Sequence, residues 1–436
     1  MTRALVVAAL VATPSVARAE RPVLAGEATF GMAGGDVLVH YATTGVDAVA
    51  PADADHDGVP DFVGQVATTA ELALARFIAV GFRRPLGDGA RGGDGRLDIY
   101  LRDLASADGN AGIDACDATD HCVGFVAAEN DFAGYAYASI TEAIRSVVPH
   151  EIFHLVQDAY AGGQPATWTE GSAVWSVEYL FGDGCSDFER FLPAFVTRSF
   201  RPFERAVGGF GDGYPYGAAL WPYYLEQRFG VGTVVAAWAA SEHAPFLDAI
   251  DAALAPVGST TDAAWADLTR ANVFTGARAG GGDYVAAAAW PEVPREPAIA
   301  TTGQIFIEGL SARYVPITAA SRSQLAVTPT GIRIAAWLVA DGATLADGVA
   351  LTADGAALVT TIAPGGYTLV VTGLARGSIT TAVDVALTPA PIVEPPPPPP
   401  PSAGCSASPG GPGALLLVLA LLRRRYQILT RLSGAR

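Results

Sequence analysis

Histidine is scarce in this chain, with 6 among 436 residues. Cysteine is scarcer still: the 4 present include no C-x-x-C pair, which removes a cysteine-built zinc site. Basic residues are outnumbered, 27 against 44 acidic, for a formal net charge of −17. With no basic stripe in the body of the chain, nucleic acid is excluded as a partner. The surplus of carboxylates suits an exported protein that meets divalent cations.

Two of those few histidines stand together. The run Val147-Val148-Pro149-His150-Glu151-Ile152-Phe153-His154 contains H-E-x-x-H. On a helix, His150 and His154 share one face and can grip one Zn²⁺, and Glu151 sits beside the metal as general base for a bound water. Catalytic zinc needs a third protein ligand and an open position. Glu170, in Trp168-Thr169-Glu170-Gly171-Ser172-Ala173, follows a turn-like stretch at 161–165 that breaks the first helix. Gly171 and Ala173 are small enough for a second helix to approach closely. Glu178 is the fallback ligand, two turns further on. Asp158, one turn past His154, is a candidate for orienting a ligand imidazole. Pro149 means that the helix starts near it or bends there.

H-E-I-F-H followed by E-G-S-A resembles the gluzincin metallopeptidases, the clan that includes thermolysin and the aminopeptidase N family. The resemblance covers roughly residues 140–230. It implies a zinc-activated water attacking a peptide bond, with Glu151 carrying the proton and His150, His154 and Glu170 holding the metal. The gap from His154 to Glu170 is 15 residues, shorter than in the best-known members, so the connection must be tight. That departure keeps open a catalytically inactive adhesion or binding protein on the same scaffold. Downstream, Tyr214-Pro215-Tyr216-Gly217 is similar to the helix start that carries an oxyanion-binding tyrosine in aminopeptidase-N-type enzymes. Tyr214 matches best by spacing and Tyr216 is its rival. The same resemblance implies a sheet before the metal-binding helix whose edge strand holds extended substrate, and 134–140 is the candidate for that edge. No G-x-M-E-N motif is present, which favours an endopeptidase acting on protein or peptide.

The ends carry their own signals. Arg3, the apolar run Ala4 to Ala12 and Ala17-Arg18-Ala19 read as a secretory leader over 1–19, giving a mature chain from Glu20. At the other end come the proline run Pro395 to Pro401, Gly404-Cys405-Ser406, the apolar run Ala414 to Leu422 and Arg423-Arg424-Arg425. This resembles the C-terminal sorting tail of myxobacterial surface proteins. It implies processing near Cys405 and association with the outer envelope.

Between the ends, 20–292 reads as a mixed α/β (α+β) gluzincin-like domain, with a helix over 62–80 and strands at 97–101 and 122–127. Residues 296–390 lose helical periodicity and show seven short strands between Gly, Asp and Pro turns, the pattern of a β-sandwich serving as binding module or spacer. A proline-rich linker (391–402) and the tail (403–436) follow. Asp53, Asp55, Asp57 and Asp61 fall at positions 1, 3, 5 and 9 of a calcium loop, with Gly58 at the sharp turn and the Val59 carbonyl at position 7. Gly64 replaces the usual glutamate at position 12, so the expectation is a short calcium loop rather than an EF-hand. Cys116 and Cys122 enclose five residues and suit a disulfide in an oxidising compartment.

Overall fold

The computed structural model describes residues 19–182, 185, 187–205, 213–354, 356–377 and 379–390. The leader core, the proline run and the sorting motif with Cys405 lie outside the described residues.

The chain opens with a mixed five-stranded sheet. Its elements are β1 (Glu27–Phe30), β2 (Val37–Ala42), the helix α1 (Asp61–Ala79), β3 (Leu97–Arg102), β4 (Gly109–Cys116) and β5 (Cys122–Glu129). The spatial order is β1-β2-β3-β5-β4; β2, β3 and β5 run parallel, while β1 and β4 are antiparallel to their neighbours. β4 is therefore an edge, and Cys116–Cys122 is a disulfide across its hairpin with β5. Side chains alternate across the strands. Val39, Ile99, Leu101 and Val126 face the main core beneath α1 and the long helix α2 (Ile140–Asp158). Tyr100 and Phe125 point to the other face, where Leu24 and Ala19 from the N-terminal segment cover them.

The substrate edge expected at 134–140 is corrected by this topology. That stretch is the non-strand approach to α2: Gly134 takes φ +88°, and the Ser139 hydroxyl caps the helix by accepting the Glu142 N–H at 3.1 Å. The sheet's edges are β1 and β4; the sequence of β4, GNAGIDAC, has little hydrophobic alternation, and its strand conformation comes from pairing with β5, with a register shift between Ile113 and Ala115.

The helices continue with α3 (Ala166–Phe181), α4 (Asp187–Val196), the single turn α5 (Tyr214–Gly217), α6 (Leu220–Phe229), α7 (Val231–Ser241), α8 (Phe246–Leu254) and α9 (Thr261–Ala271). Trp168, Trp175, Trp221 and Trp238 are buried among them. The single turn α5 precedes α6, which Gly230 at φ +88° ends.

The last part contains β6 (Thr302–Glu308), β7 (Ala312–Ala319), β8 (Ser323–Pro329), β9 (Ile334–Ala340), β10 (Val349–Ala350), β11 (Thr352–Asp354), β12 (Ala357–Ile362), β13 (Gly365–Gly373) and β14 (Thr380–Pro389). Two antiparallel sheets form, β10-β9-β13-β7 and β11-β12-β8-β14-β6, around a core of Ile307, Val315, Ile317, Leu325, Val327, Leu369 and Val383. The molecule is thus a mixed α+β protein. The change of character near residue 296 falls inside one compact unit that runs to Ala390. Leu310, Ala312, Tyr314, Val339 and Val370 belong to the same apolar core as the helices.

Candidate metal centre

α2 carries both histidines through a helix that continues across Pro149. A proline there has no N–H for the Arg145 carbonyl, one turn before the ligands. His150 and His154 point the same way, with their Nε2 atoms 3.1 Å apart. Glu170, in the first turns of α3, closes a triangle: its Oε2 lies 3.3 Å from His150 Nε2 and 3.4 Å from His154 Nε2. A tetrahedral zinc with bonds of about 2.0–2.1 Å needs neighbouring ligand atoms about 3.3–3.4 Å apart. The triangle has that size. The three residues fit the metal that the motif implies.

The short gap from His154 to Glu170 is spanned by the end of α2, a connection over 159–165 and the start of α3. Gly171, expected to let α3 approach α2, faces the 218–219 turn instead: a Cβ there would stand 3.0 Å from the Ala218 carbonyl carbon and 3.1 Å from its oxygen. Gln157 joins the two helices. Its Oε1 meets His154 Nδ1 at 2.9 Å, while its Nε2 donates to the Thr169 carbonyl at 2.8 Å and to the Ser172 hydroxyl at 3.1 Å. Gln157 thus orients the imidazole, the role expected of Asp158. No hydrogen bond joins Asp158 to His154 among the described residues. The Asp158 carboxyl is pushed up to about 6 by burial, which His154 partly opposes. Asp158 instead lies against the turn at Gly162, where a Cβ would stand 3.6 Å from its Oδ1.

Electrostatics favour positive charge at the triangle. Burial works against the His154 imidazolium, yet the hydrogen bond and charge of Glu170 raise its pKa to about 10. Burial would raise the Glu170 carboxyl, and the two histidines hold it well below the usual range. Glu151 is 7 % exposed, and burial raises its carboxyl despite the nearby histidines. It faces the first residue of the edge strand: a Cβ on Gly109 would lie 2.9 Å from Glu151 Cγ and 2.5 Å from Val147 Cγ1. Only glycine lets β4 pass this close.

The two tyrosines separate. Tyr216 stacks on His150, with ring centroids 6.0 Å apart and planes 25° apart, and on Phe191 at 4.9 Å. Burial, then Glu170 and Glu151, raise its phenol above the usual range, so it keeps its proton. Tyr214 is 1 % exposed in the helical core, packed on Phe195, with its hydroxyl donating to the Arg201 carbonyl at 3.3 Å. The preference for Tyr214 is corrected: on a single helical turn, residues two apart face nearly opposite ways. Sequence reasoning missed Gln157, Gly109 and a further carboxyl, Asp187, which burial raises to about 6 and His150 lowers. Only Gln157 had a local signal, its spacing from His154.

Glu178, the fallback ligand, is not among the clustered donors. In the acidic loop, Asp53, Asp55 and Asp57 each offer an oxygen within 4.8 Å of the others. Asp53 accepts the N–H groups of Asp57 and Gly58, and Asp57 accepts that of Val59 at 2.8 Å. Asp61 instead starts α1 and accepts the Ala54 N–H at 3.1 Å, outside that cluster.

No family model matches the chain, and no curated protein matches it. Short solved structures align with about a fifth of it. The pre-peptidase C-terminal domain of a collagenase from Bacillus anthracis is 18 % identical, over 22 % of this chain and 100 % of that one, with a TM-score of 0.19. A periplasmic inhibitor of g-type lysozyme from Salmonella Typhimurium is 16 % identical, over 21 % of this chain and 99 % of that one, with a TM-score of 0.17. Its counterpart from Aeromonas hydrophila is 16 % identical, over 22 % and 96 %, with a TM-score of 0.18. At these scores the likeness supports no conclusion about chemistry.

Proposed function

We propose that this chain is an exported zinc metallopeptidase of gluzincin type that cleaves peptide bonds within extended protein segments. The observation that carries the reading is the His150, His154 and Glu170 triangle, whose edges of 3.1, 3.3 and 3.4 Å suit one tetrahedral zinc. When bound, zinc acidifies a water and polarises a carbonyl. The chain's own residues do the rest. Glu151, buried beside the histidines, takes a proton on its carboxylate and delivers it to the leaving amine. A raised pKa suits a group that must hold the proton between those events. Tyr216, protonated and stacked on His150, donates a hydrogen bond where oxyanion charge develops. The outer edge of β4, starting at Gly109 against Glu151, offers backbone groups to a substrate in strand conformation, apart from the Ile113 carbonyl that Ala19 holds. The reading includes a calcium ion on the Asp53, Asp55 and Asp57 loop, and delivery to the cell surface through the leader and the Cys405 tail.

The test is elemental analysis of the purified exported chain beside two variants. We expect about one zinc per chain, loss of that zinc in His154→Ala, and retention in Glu151→Gln with hydrolysis of a peptide library abolished. Calcium content is read from the same samples. Folded, chelator-free protein without zinc would overturn the enzyme reading. Zinc without any peptide cleavage would overturn the substrate class.

A further inference from the structure

The outer face of the five-stranded sheet holds a group of buried charges remote from the triangle. Asp98 on β3, Asp114 at the irregular point of β4 and Asp88 in the loop before β3 all converge on one guanidinium, that of Arg21. Arg21 Nη2 lies 2.6 Å from Asp114, its Nε reaches the same carboxylate at 3.1 and 3.2 Å, and its other contacts go directly to Asp88 and Asp98. The carboxylates are 4 %, 0 % and 7 % exposed for Asp88, Asp98 and Asp114, so their repulsion is little screened by water. The guanidinium also lies over the Phe125 ring at 5.3 Å. Gly92, at φ +81°, runs so close that a Cβ would collide with Asp98.

The segment that brings Arg21 here is tied to the edge strand at a second point. The Ala19 N–H donates to the Ile113 carbonyl of β4 at 2.9 Å. From there the chain crosses the sheet to Leu24, which packs on Phe125, Tyr100 and Ala42. Leader cleavage after Ala19 would remove the Ile113 bond and leave Arg21 as the second residue of the mature chain. Arg21 would then be the remaining tie between this segment and β4.

We propose that Arg21 is a positioning residue for the peptide-binding edge: by joining Asp114 to Asp88 and Asp98, it sets where β4 lies against Glu151. This rests on the metallopeptidase reading for its kinetic consequence only. Asp114 sits five residues along β4 from Gly109, and the residues between them, 110–113, stay in unbroken register with β5. Removing Arg21 leaves three buried carboxylates without their shared guanidinium, whereas Asp114→Asn weakens only the tie to β4; in both, the strand end nearest the charges moves outward. Zinc ligation is untouched, because His150, His154 and Glu170 belong to α2 and α3.

The experiment compares the exported wild-type chain with Arg21→Met, Arg21→Lys and the milder Asp114→Asn. Readouts are zinc content, hydrogen exchange of the amides at 109–116, and kcat and KM on a peptide that the wild type cleaves. We expect zinc to be retained in all variants and β4 exchange to be accelerated at least tenfold in Arg21→Met and Asp114→Asn. KM should rise about tenfold with kcat within twofold, and Arg21→Lys should be intermediate. Should Arg21→Met fail to fold, Asp114→Asn carries the same comparison. Wild-type exchange and KM in a folded Asp114→Asn chain would overturn the proposal. A wild-type chain that cleaves no peptide would sink the metallopeptidase reading alone, and the exchange data would still decide the tie between Arg21 and β4.

Discussion

Gln157 does for His154 what a carboxylate does in many zinc sites: it fixes the ring so that Nε2 faces His150 and Glu170. A carboxamide does this without adding charge, which matters where Glu151 and Glu170 are already buried together. Gln157→Leu preserves volume and removes the bond. Zinc affinity should fall by about 10–100-fold, as orienting partners generally contribute; titration against a competing chelator measures this, and unchanged affinity would refute the role. His40 gives a second residue-scale expectation. It bridges Glu27 at 2.7 Å and Asp98 at 2.9 Å and stacks on Tyr100, next to Arg21. Burial lowers its pKa, but the two carboxylates outweigh that and raise it above the ordinary 6.5. A raised folded pKa contributes stability fully below the unfolded value and loses it as pH rises through the folded value. The stability difference between wild type and His40→Asn, from denaturant titrations, should therefore shrink as pH climbs above about 6.5. A difference independent of pH would show that folding leaves the His40 imidazole unshifted.

At the scale of elements, what was legible followed from local chemistry. H-E-x-x-H placed both histidines on one helix face through the 3.6-residue repeat, and the resemblance of E-G-S-A placed Glu170 beside them, whereas Gly171 meets the 218–219 turn rather than α2. α1, β3 and β5 declare themselves by apolar periodicity. β4 did not, because Gly109, Ala111, Gly112 and Ala115 carry no pattern and the strand exists through its neighbour. The stretch 134–140 showed alternating aromatics yet forms no strand, since Gly134 and the Ser139 cap direct the chain into α2. Tyr216 rather than Tyr214 faces the site because of how α5 rotates, which no spacing encodes. The close contact of α3 with the 218–219 turn yields a test. In Gly171→Ala the new methyl meets backbone atoms of Ala218 and Ala219 at 3.0–3.1 Å, and backbone cannot swing aside. The variant should lose about 1–3 kcal/mol of stability, and Glu170 should move with its helix. Denaturant unfolding and zinc content should change together; a destabilised variant with unaltered zinc affinity would mean that α3 pivots without carrying its ligand away.

For the whole molecule, the decisive surface is the one between the helices and the strand-rich part. The composition shift at residue 296 suggests a detachable module, yet polar ties cross it in both directions. Tyr314 on β7 donates to the Thr269 carbonyl at 2.9 Å, and the hydroxyls of Thr269 and Thr372 meet at 2.6 Å with both side chains buried. The Phe203 and Ala312 amides bond to the carbonyls of Leu310 and Ser199 at 3.0 and 2.8 Å, joining the chain after α4 to the start of β7. Arg270 lies over the Trp337 ring at 4.3 Å. Separating the parts would expose Tyr314, which is 0 % exposed, together with Val370 and the two threonines. Exchanging those internal hydrogen bonds for water costs about 0.5–1.5 kcal/mol each, in addition to the apolar surface uncovered. The mature chain should therefore melt in one calorimetric transition, with the calorimetric and van't Hoff enthalpies in agreement. Residues 296–390 expressed alone should give a broad transition at much lower temperature. Two resolved transitions in the intact chain, or a sharp native-like melt of the isolated 296–390 segment, would show instead that the strands form an independent module resting on the helices.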